Sequence, residues 1–319
     1  MRAAVRTRYG PPEVVRLSDV PAPVAGPKEL RVAVRATTVN RTDCGTLAAK
    51  PFFIRAFTGL VRPRATILGN EFAGLVEAVG PGVTRFSEGD RVFGYCPRFG
   101  AHAELVCVPE HGMVAPIPAG LSFGDIAPAI EGAHYALSII RKAGIRGGQD
   151  VLVYGATGAI GSAAVQLLVD IGAKVTAVCG TAGIELVRGL GADRVIDRET
   201  VDFTQDDQRY DAVVDAVGKS SFRRVRPLLK PGGLFLTTDL GPWSQNLVLP
   251  VATRLGRGRR VMLPFPIETQ EIVEYLRERI ADGRFRPVID RHFRLEQIVD
   301  AYRYVQTGNK VGNVVITVG

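Results

Sequence analysis

The chain has no run of eighteen or more apolar residues, so it encodes no hydrophobic helix long enough to cross a bilayer, and no membrane insertion is expected. Cysteine is scarce. Cys44, Cys96, Cys107 and Cys179 are too widely separated for a closely spaced zinc ligand set, and four do not make a disulfide scaffold in a chain this long. They read as ordinary buried or half-buried thiols. Repeats and low-complexity tracts are absent, which excludes solenoid and fibrous folds. The basic stretch 1–9 alternates with apolar residues and leads into no hydrophobic segment, so no secretory signal is expected and the chain reads as soluble and cytoplasmic. What is present suits globular packing: 319 residues, 46% hydrophobic, enough for about two domains of ~150 residues and too apolar for a disordered protein. The net charge of +8, carried mainly by arginine, permits an anionic partner, nucleic acid or a phosphate-bearing cofactor, without choosing between them.

The first third reads as short strands broken by turns. Residues 2–6 alternate, Tyr9-Gly10-Pro11-Pro12 breaks the chain, 14–17 form a second strand, and 30–36 alternate as a half-buried strand does. Residues 72–79 and 90–93 are further β-rich runs, and the set predicts a partly open barrel. The period changes near residue 123. Helical spacing covers 125–143, and from 151 onward strands at 151–154, 174–178, 194–196, 212–215 and 234–237 are interleaved with helices at 160–171 and 184–190. That pattern predicts βαβ units on a parallel sheet, an α/β doubly wound domain inserted after the β-rich one. The tail holds amphipathic helices at 270–282 and 295–306, and a closing strand at 313–318 expected to return to the β-rich domain.

One loop carries a strong chemical signal. Gly155-Ala156-Thr157-Gly158-Ala159-Ile160-Gly161 lies between an apolar strand and an apolar helix. Glycine lets the backbone approach a pyrophosphate, and the free N–H groups of the helix start bind its charge, so these seven residues are the candidate cradle of a dinucleotide. A plain tight turn is the alternative. An NAD site places Asp or Glu roughly 20 residues on, at the end of the second strand. Here Cys179-Gly180-Thr181 stands there. With no acid to repel it, a 2′-phosphate is tolerated beside Gly180 and Thr181. Arg188 and Arg198 are its candidate partners, unless they only line a solvated edge, and NADPH is expected over NADH.

Several stretches, taken in order, resemble the medium-chain dehydrogenase/reductase superfamily, in its zinc-free quinone oxidoreductase-like branch. They are Met1-Arg2-Ala3-Ala4-Val5 with Tyr9-Gly10 and Pro21-Ala22-Pro23; Gly69-Asn70-Glu71-Phe72-Ala73-Gly74 followed by Val79-Gly80 and Gly89-Asp90-Arg91-Val92; the glycine loop; and Gly308-Asn309-Lys310-Val311-Gly312. The resemblance covers nearly the whole chain. It implies a β-rich GroES-like catalytic domain, 1–122 with 264–319, split by a Rossmann cofactor domain, 123–263. It further implies an active site in the cleft, a homodimer, and a small-molecule quinone, enone or enal as substrate.

Zinc-bearing relatives hold their metal with a Cys from a C-R-T-D-like segment and a His from G-H-E. Asn40-Arg41-Thr42-Asp43 and Gly69-Asn70-Glu71 stand at those places, the third position falls near Ile130-Glu131, and the four-cysteine lobe is absent. An asparagine amide oxygen is a poor zinc ligand and one carboxylate would not hold zinc alone, so a metal-free site is expected. Alcohol oxidation then loses its means of stabilising an alkoxide. Reduction of a quinone or electron-poor double bond remains feasible, because the acceptor's carbonyl delocalises the charge and hydrogen-bond donors replace the metal.

The resemblance assigns roles residue by residue. Asn40 and Thr42 would donate to the substrate oxygen, and Arg41 would reach the cofactor pyrophosphate; a turn-stabilising Asn40 and a helix cap over 40–43 are the alternatives. Asp43 would cap the helix or orient Arg41. His134 stands where the family has Thr beside the nicotinamide, as a proton donor or a satisfied cleft histidine. Val217 and Gly218 resemble the segment along the nicotinamide ribose, and Asn313, next to the closing motif, is a further cofactor contact. Tyr95, Trp243 and Phe265 are the aromatic candidates for the substrate pocket, with plain core packing as the alternative for each. Other readings stay open: a zinc-independent alcohol dehydrogenase, an enoyl-thioester reductase, an idle NADPH-binding structural protein, or an RNA-binding surface at Arg254, Arg257, Arg259 and Arg260. The last lacks interleaved aromatics, so a solvated face is the plainer reading.

Overall fold

The structure, a computed structural model, describes residues 1–241, 245–254, 258–266 and 268–319, with only the backbone of Arg254. The chain divides into two compact units, Met1–Glu131 with Glu268–Gly283 and Pro287–Gly319, and Gly132–Ile267 with Arg284–Arg286.

In the first unit β1 (Arg2–Val5) pairs antiparallel with β2 (Arg16–Asp19). Then come β3 (Glu29–Val39), α1 (Arg41–Ala48), α2 (Arg55–Thr58), β4 (Glu71–Val79), β5 (Arg91–Tyr95), β6 (Leu105–Pro109), β7 (Met113–Pro116) and α3 (Phe123–Ile126). The helix α4 (Glu131–Ala143) leads into the second unit. There β8 (Asp150–Tyr154), α5 (Ala159–Asp170), β9 (Lys174–Cys179), α6 (Ile184–Gly189), β10 (Arg194–Asp197), β11 (Tyr210–Asp215), α7 (Phe222–Val225), β12 (Leu229–Thr237), α8 (Gln245–Arg254) and β13 (Arg260–Met262) follow. The chain returns to the first unit with α9 (Gln270–Ala281), β14 (Ile289–Arg294), α10 (Ile298–Gln306) and β15 (Asn313–Thr317).

The second unit's strands run parallel in the order β10-β9-β8-β11-β12-β13, with the first strand central and the order reversing beside it. This is the Rossmann arrangement, in which ligands meet the carboxyl ends of the strands at the reversal. Val151, Leu152 and Val153 are wholly buried, as a strand covered on both faces requires. The first unit's larger sheet runs β14-β15-β3-β4-β5-β7, with β6 also on β3, and the closing strand β15 lies antiparallel to β3 with Val314 opposite Val39. Leu30, Val32 and Val34 of β3 alternate inward onto a core shared with Phe72, Val92 and Ile316, against which Ile298, Tyr302 and Val305 of α10 pack.

Two expected elements differ in detail. The strand expected at 14–17 begins at Arg16, because Pro12 opens a single 3₁₀ turn, Pro12–Val14. The helical spacing at 125–143 is not one helix. Pro128 lacks the N–H a continuous helix needs, so α3 ends, a 3₁₀ turn Ala127–Ala129 intervenes, and α4 starts afresh at Glu131. All four cysteines are free, with Cys96 and Cys179 buried and Cys44 and Cys107 half-buried.

Candidate active site and cofactor loop

In the first unit, residues 40–43 build a helix start that orients a chain of side chains. Asn40 is the N-cap of α1: its Oδ1 accepts the Asp43 N–H at 2.9 Å, while the Asp43 carboxylate accepts the Asn40 N–H at 3.0 Å, a reciprocal capping box. With Oδ1 committed to the backbone, Nδ2 must face the other way, and it donates to Asn70 Oδ1 at 2.8 Å. That contact fixes the second amide, whose Nδ2 donates to Glu131 Oε2 at 2.8 Å and to the Tyr95 hydroxyl at 3.3 Å. The Thr42 hydroxyl donates to the other carboxylate oxygen, Glu131 Oε1, at 2.6 Å. Asn40, Thr42 and Tyr95 are thus brought together, with Asn70 and Glu131 joining them. Asp43 closes the capping box, and its other oxygen accepts the Gly69 N–H at 3.0 Å.

Buried acids surround this chain. Glu71 accepts the N–H groups of Ile130 and Glu131 at 2.9 and 2.7 Å, where α4 begins, and the Thr38 hydroxyl at 2.6 Å. Glutamate in Gly69-Asn70-Glu71 is therefore a capping anion at a helix start. Burial pushes Asp43 and Glu71 up to about 7, against the hydrogen bonds that favour their charged forms. Burial and the neighbouring Glu71 carboxyl push Glu131 up to about 8. Behind Asp43, His102 Nε2 meets the Thr38 carbonyl at 2.7 Å and burial drives it down to about 4, so it stays neutral and donates there. Arg41 is exposed at the first position of α1. Lys310 lies close enough for Arg41 to help depress its ammonium, which burial lowers to about 8. Asn313 spends its side-chain N–H on the Val288 carbonyl at 3.0 Å.

In the second unit the glycine loop is built from backbone. Gly155 sits at φ +82°, open to glycine at little cost. A Cβ on Gly161 would strike the Gly155 carbonyl oxygen and come within 2.9 Å of the Ala156 Cα, so only glycine lets α5 approach the end of β8. Gly158 is the N-cap of α5, whose first-turn N–H groups, from Ala159, Ile160 and Gly161, point out of the helix start. Thr157 packs on Gly183, which links the loop to the turn after β9 that carries Gly180 and Thr181. Val217 and Gly218 donate their N–H groups to Asp215 Oδ1 at 3.1 and 2.9 Å, so they offer carbonyls and the Val217 side chain rather than donors.

Contrary to the expectation from the sequence, the end of β9 is not free of acids. No acid ends β9 itself, but acids arrive from the parallel neighbour β10. Thr181 Oγ1 lies 2.7 Å from Asp197 Oδ2 and 3.0 Å from Glu199 Oε2, and the Arg198 guanidinium approaches Gly180 with Glu199 at 3.8 Å. Arg188 pairs with Glu185 at 2.7 Å on the exposed face of α6. Of the remaining candidates, His134 is fully buried, with the Tyr135 ring 4.7 Å away. Phe265 is 65% exposed and its carbonyl accepts from Lys142 Nζ. Trp243, Arg257 and the Arg254 side chain lie outside the described residues, and Arg259 is tied to the Leu229 carbonyl at 2.7 Å.

Comparison with known proteins agrees with this layout. Residues 26–119 match the family model described as alcohol dehydrogenase GroES-like domain, and residues 190–316 the one described as zinc-binding dehydrogenase. The 2-methylene-furan-3-one reductase of Solanum lycopersicum is 31% identical over 99% of this chain and 79% of its own length. The chain belongs to the medium-chain dehydrogenase/reductase superfamily, in its quinone oxidoreductase-like branch. It is an oxidoreductase. The NADPH-dependent alkenal/one oxidoreductase of Arabidopsis thaliana is 28% identical over 99% of this chain and 79% of that one. The solved quinone oxidoreductase of Coxiella burnetii superposes with a TM-score of 0.88 at 26% identity, covering 100% of this chain and 99% of the other.

The residues present fit one of the superfamily's two groups. A nicotinamide dinucleotide would fit the loop at the carboxyl end of the central strand, where neither Gly155 nor Gly161 has room for a Cβ. Zinc does not find its ligands. Both amides at the metal positions are already spent on each other and on the helix cap, and no thiolate or imidazole takes part. The description of the matched model as zinc-binding thus does not carry over to these side chains. Among the described residues no group of three His, Cys, Asp or Glu side chains is placed to hold a metal ion. In the sequence Glu131 stands out only as a third metal position that would not hold zinc alone, and Lys310 only as part of the closing motif. The signal for the first was available: both ligand positions had become asparagine together, which suggests that they bond to each other.

Proposed function

We propose that the protein is an NADPH-dependent, zinc-independent reductase of quinones or α,β-unsaturated carbonyls, acting by hydride transfer. The observation that carries this reading is the interlocked Asn40–Asn70–Glu131 chain at the positions where zinc relatives hold their metal. Such a site presents hydrogen-bond donors and no Lewis acid, which suits an acceptor whose own carbonyl takes up charge. When bound, the nicotinamide supplies the hydride. The loop 155–161 holds the pyrophosphate with first-turn N–H groups, and the Arg41 and Lys310 cations supply positive charge in the first unit. Thr42 and the second hydrogen of Asn40 Nδ2 are the donors for the acceptor oxygen. The relatives' names, a furanone reductase and an alkenal/one oxidoreductase, agree in acceptor chemistry.

Arg198 at Gly180 supports NADPH; Asp197 and Glu199 favour a second reading, NADH, because they accept hydrogen bonds and repel a 2′-phosphate. The exposed Leu247, Val248 and Val251 of α8, beside the edge strand β13, suit a homodimer. No helix among the described residues is long and apolar enough to cross a membrane. The test is turnover by metal-stripped protein, following reduced-nicotinamide absorbance with NADPH and NADH and with a small quinone and an enone as acceptors. Activity without zinc, faster with NADPH, is expected. Activity that appears only on adding zinc would remove the reading.

A further inference from the structure

We propose that Glu131 is the proton store of this site and hands its carboxyl proton to the reduced acceptor through the Thr42 hydroxyl. The inference rests on the reductase reading above and adds the proton half of the reaction.

The geometry gives that proton a route to Thr42. The capping box commits Asn40 Oδ1 to the Asp43 N–H, so Asn40 Nδ2 faces Asn70 Oδ1, and Asn70 Nδ2 in turn faces Glu131 Oε2. Direction is set from the helix start outward. Oε2 thus faces the Asn70 N–H donor, the Tyr95 hydroxyl is a further partner of the carboxyl, and Oε1 lies 2.6 Å from Thr42 Oγ1, which makes Oε1 the oxygen that can pass a proton to Thr42. With Oε1 protonated, the carboxyl O–H donates to Oγ1 and the Thr42 hydrogen is released to point elsewhere. Thr42 is half-buried while Glu131 is buried, so the hydroxyl is the end of this pair open to a ligand.

Neighbouring groups decide which acid keeps the proton. Facing Glu131 are the Glu71 carboxyl from β4, Asp43 and Thr42 from α1, Asn70 at the head of β4 and the Tyr95 hydroxyl from β5. Asp43 accepts two backbone N–H groups and lies near the buried Arg6; Glu71 accepts two backbone N–H groups and a hydroxyl and lies near Lys310. Those partners favour their charged forms. Among the described residues no backbone donor and no cation is placed against the Glu131 carboxyl, while the carboxyls of Glu71 and Asp43 lie beside it, so it is the member that stays neutral.

The chemistry balances. A bound reduced dinucleotide would supply hydride to the acceptor's β-carbon, and the double-bond pair would move onto the carbonyl oxygen as an enolate. That oxygen takes the Thr42 proton, and the enol then tautomerises to the saturated carbonyl. Thr42 Oγ1 is reprotonated by Glu131 Oε1, and the Glu131 carboxylate regains its proton from solvent. The products are the saturated carbonyl and the oxidised dinucleotide.

Glu131 acts through Thr42 and is a positioning residue, so the test pairs kinetics with a spectroscopic readout on the intact protein without cofactor. Infrared difference spectra against E131Q should show a protonated carboxylic acid in the wild type that ionises near pH 8 and is missing in the variant. In turnover of an enone, kcat should fall ~tenfold per pH unit above about 8 in the wild type. E131Q should lower kcat on the order of 10²-fold and abolish that alkaline limb, T42V should do the same, and T42S should keep both rate and limb. A wild type lacking the acid band would overturn the proposal, as would an E131Q enzyme that keeps its rate and alkaline limb. Since T42S conserves the hydroxyl, its failure to preserve the limb would also overturn it. A wild type inactive on every quinone and enone fails at the reductase reading itself and takes the relay with it, whereas an active enzyme with an unchanged E131Q profile sinks the relay alone.

Discussion

The two units make their sites from different materials. In the second, the proposed cofactor loop is built from main chain: Gly155 turns, Gly161 clears space, and the N–H groups at the start of α5 would form the contact surface. In the first, Asn40, Asn70, Thr42, Tyr95 and Glu131 present side chains whose directions depend on one another. A backbone site fails when something is added to it, because there is no room. A side-chain site fails when something is removed, because each group holds its neighbour's orientation. The contrast also explains their electrostatics: backbone dipoles carry charge without titrating, whereas the side-chain site holds three buried carboxyls pushed upward by burial.

The largest effect should come from adding to the backbone site. Gly161→Val places carbon where the Gly155 carbonyl and the Ala156 Cα already lie. Overpacking of this kind costs about 3 kcal/mol, which corresponds to ~100-fold in dissociation constant if the loop opens to relieve it. Titration of the reduced dinucleotide by fluorescence should show that loss with the first unit's fold intact. Binding within a factor of about two of wild type would mean that the loop is not the cradle.

Removing from the side-chain site should cost stability instead. Glu71→Ala orphans the N–H groups of Ile130 and Glu131 and the Thr38 hydroxyl together. Unpaired buried donors cost about 1–3 kcal/mol each, partly recovered by water, so a net loss near ~3 kcal/mol and a melting temperature lower by roughly 6–12 °C are expected. Glu71→Gln keeps one acceptor and should fall between the two. Equal melting temperatures for E71A and wild type would show that solvent reaches this helix start.

A smaller effect separates the sites by pH. Asp43, Glu71 and Glu131 are raised above the ordinary carboxylate range, so the folded chain holds protons that the unfolded chain would already have released. Their contribution is complete below the unfolded value near ~4 and is lost as pH rises through about 7 to 8. The neutral His102, lowered to about 4, acts with the opposite sign, weakening the fold as pH falls below about 6. Melting temperature should therefore decline between pH 6.5 and pH 8.5 (roughly the span above the His102 window). The decline should shrink in E131Q, whose amide cannot ionise. A slope identical in E131Q and wild type would place the titrating group elsewhere.

The backbone site was the more legible of the two in sequence. Gly155 through Gly161 between an apolar strand and an apolar helix constrain the chain by sterics alone, and sterics are local. The inner parallel strands of the second unit were legible for the same reason, since burial on both faces leaves short apolar runs such as Val151-Leu152-Val153. Strands β6, β7, β13 and β14 gave no such signal. β14 reads Ile-Asp-Arg-His-Phe-Arg and lies at a sheet edge, where pairing with β15 rather than its own apolar pattern makes it a strand. In the side-chain site the residue types were visible but their bonds were not. Asn40 and Asn70 are thirty positions apart, and Glu131 is sixty-one beyond Asn70, so only the fold shows that the amides hold the carboxyl. The acids beside Thr181 escaped likewise: Asp197 ends the adjacent strand and Glu199 follows it, whereas the expected acid would end the same strand as Cys179.

That last corner offers the smallest effect and the sharpest comparison, because there the second unit also uses side chains. Arg198 and Glu199 are both about half exposed, so each is worth only about 0.5–1 kcal/mol, or roughly two- to fivefold in preference. Glu199→Gln removes one of the carboxylates touching Thr181 and should raise the NADPH-to-NADH ratio of kcat/KM by that factor. Arg198→Ala should lower it by as much. Both shifts should shrink in high salt, since the charges are solvated. The Glu131 effects should persist there, because that carboxyl is buried. Equal salt sensitivity at the two places would erase the distinction between an exposed charge balance and a sealed hydrogen-bond chain.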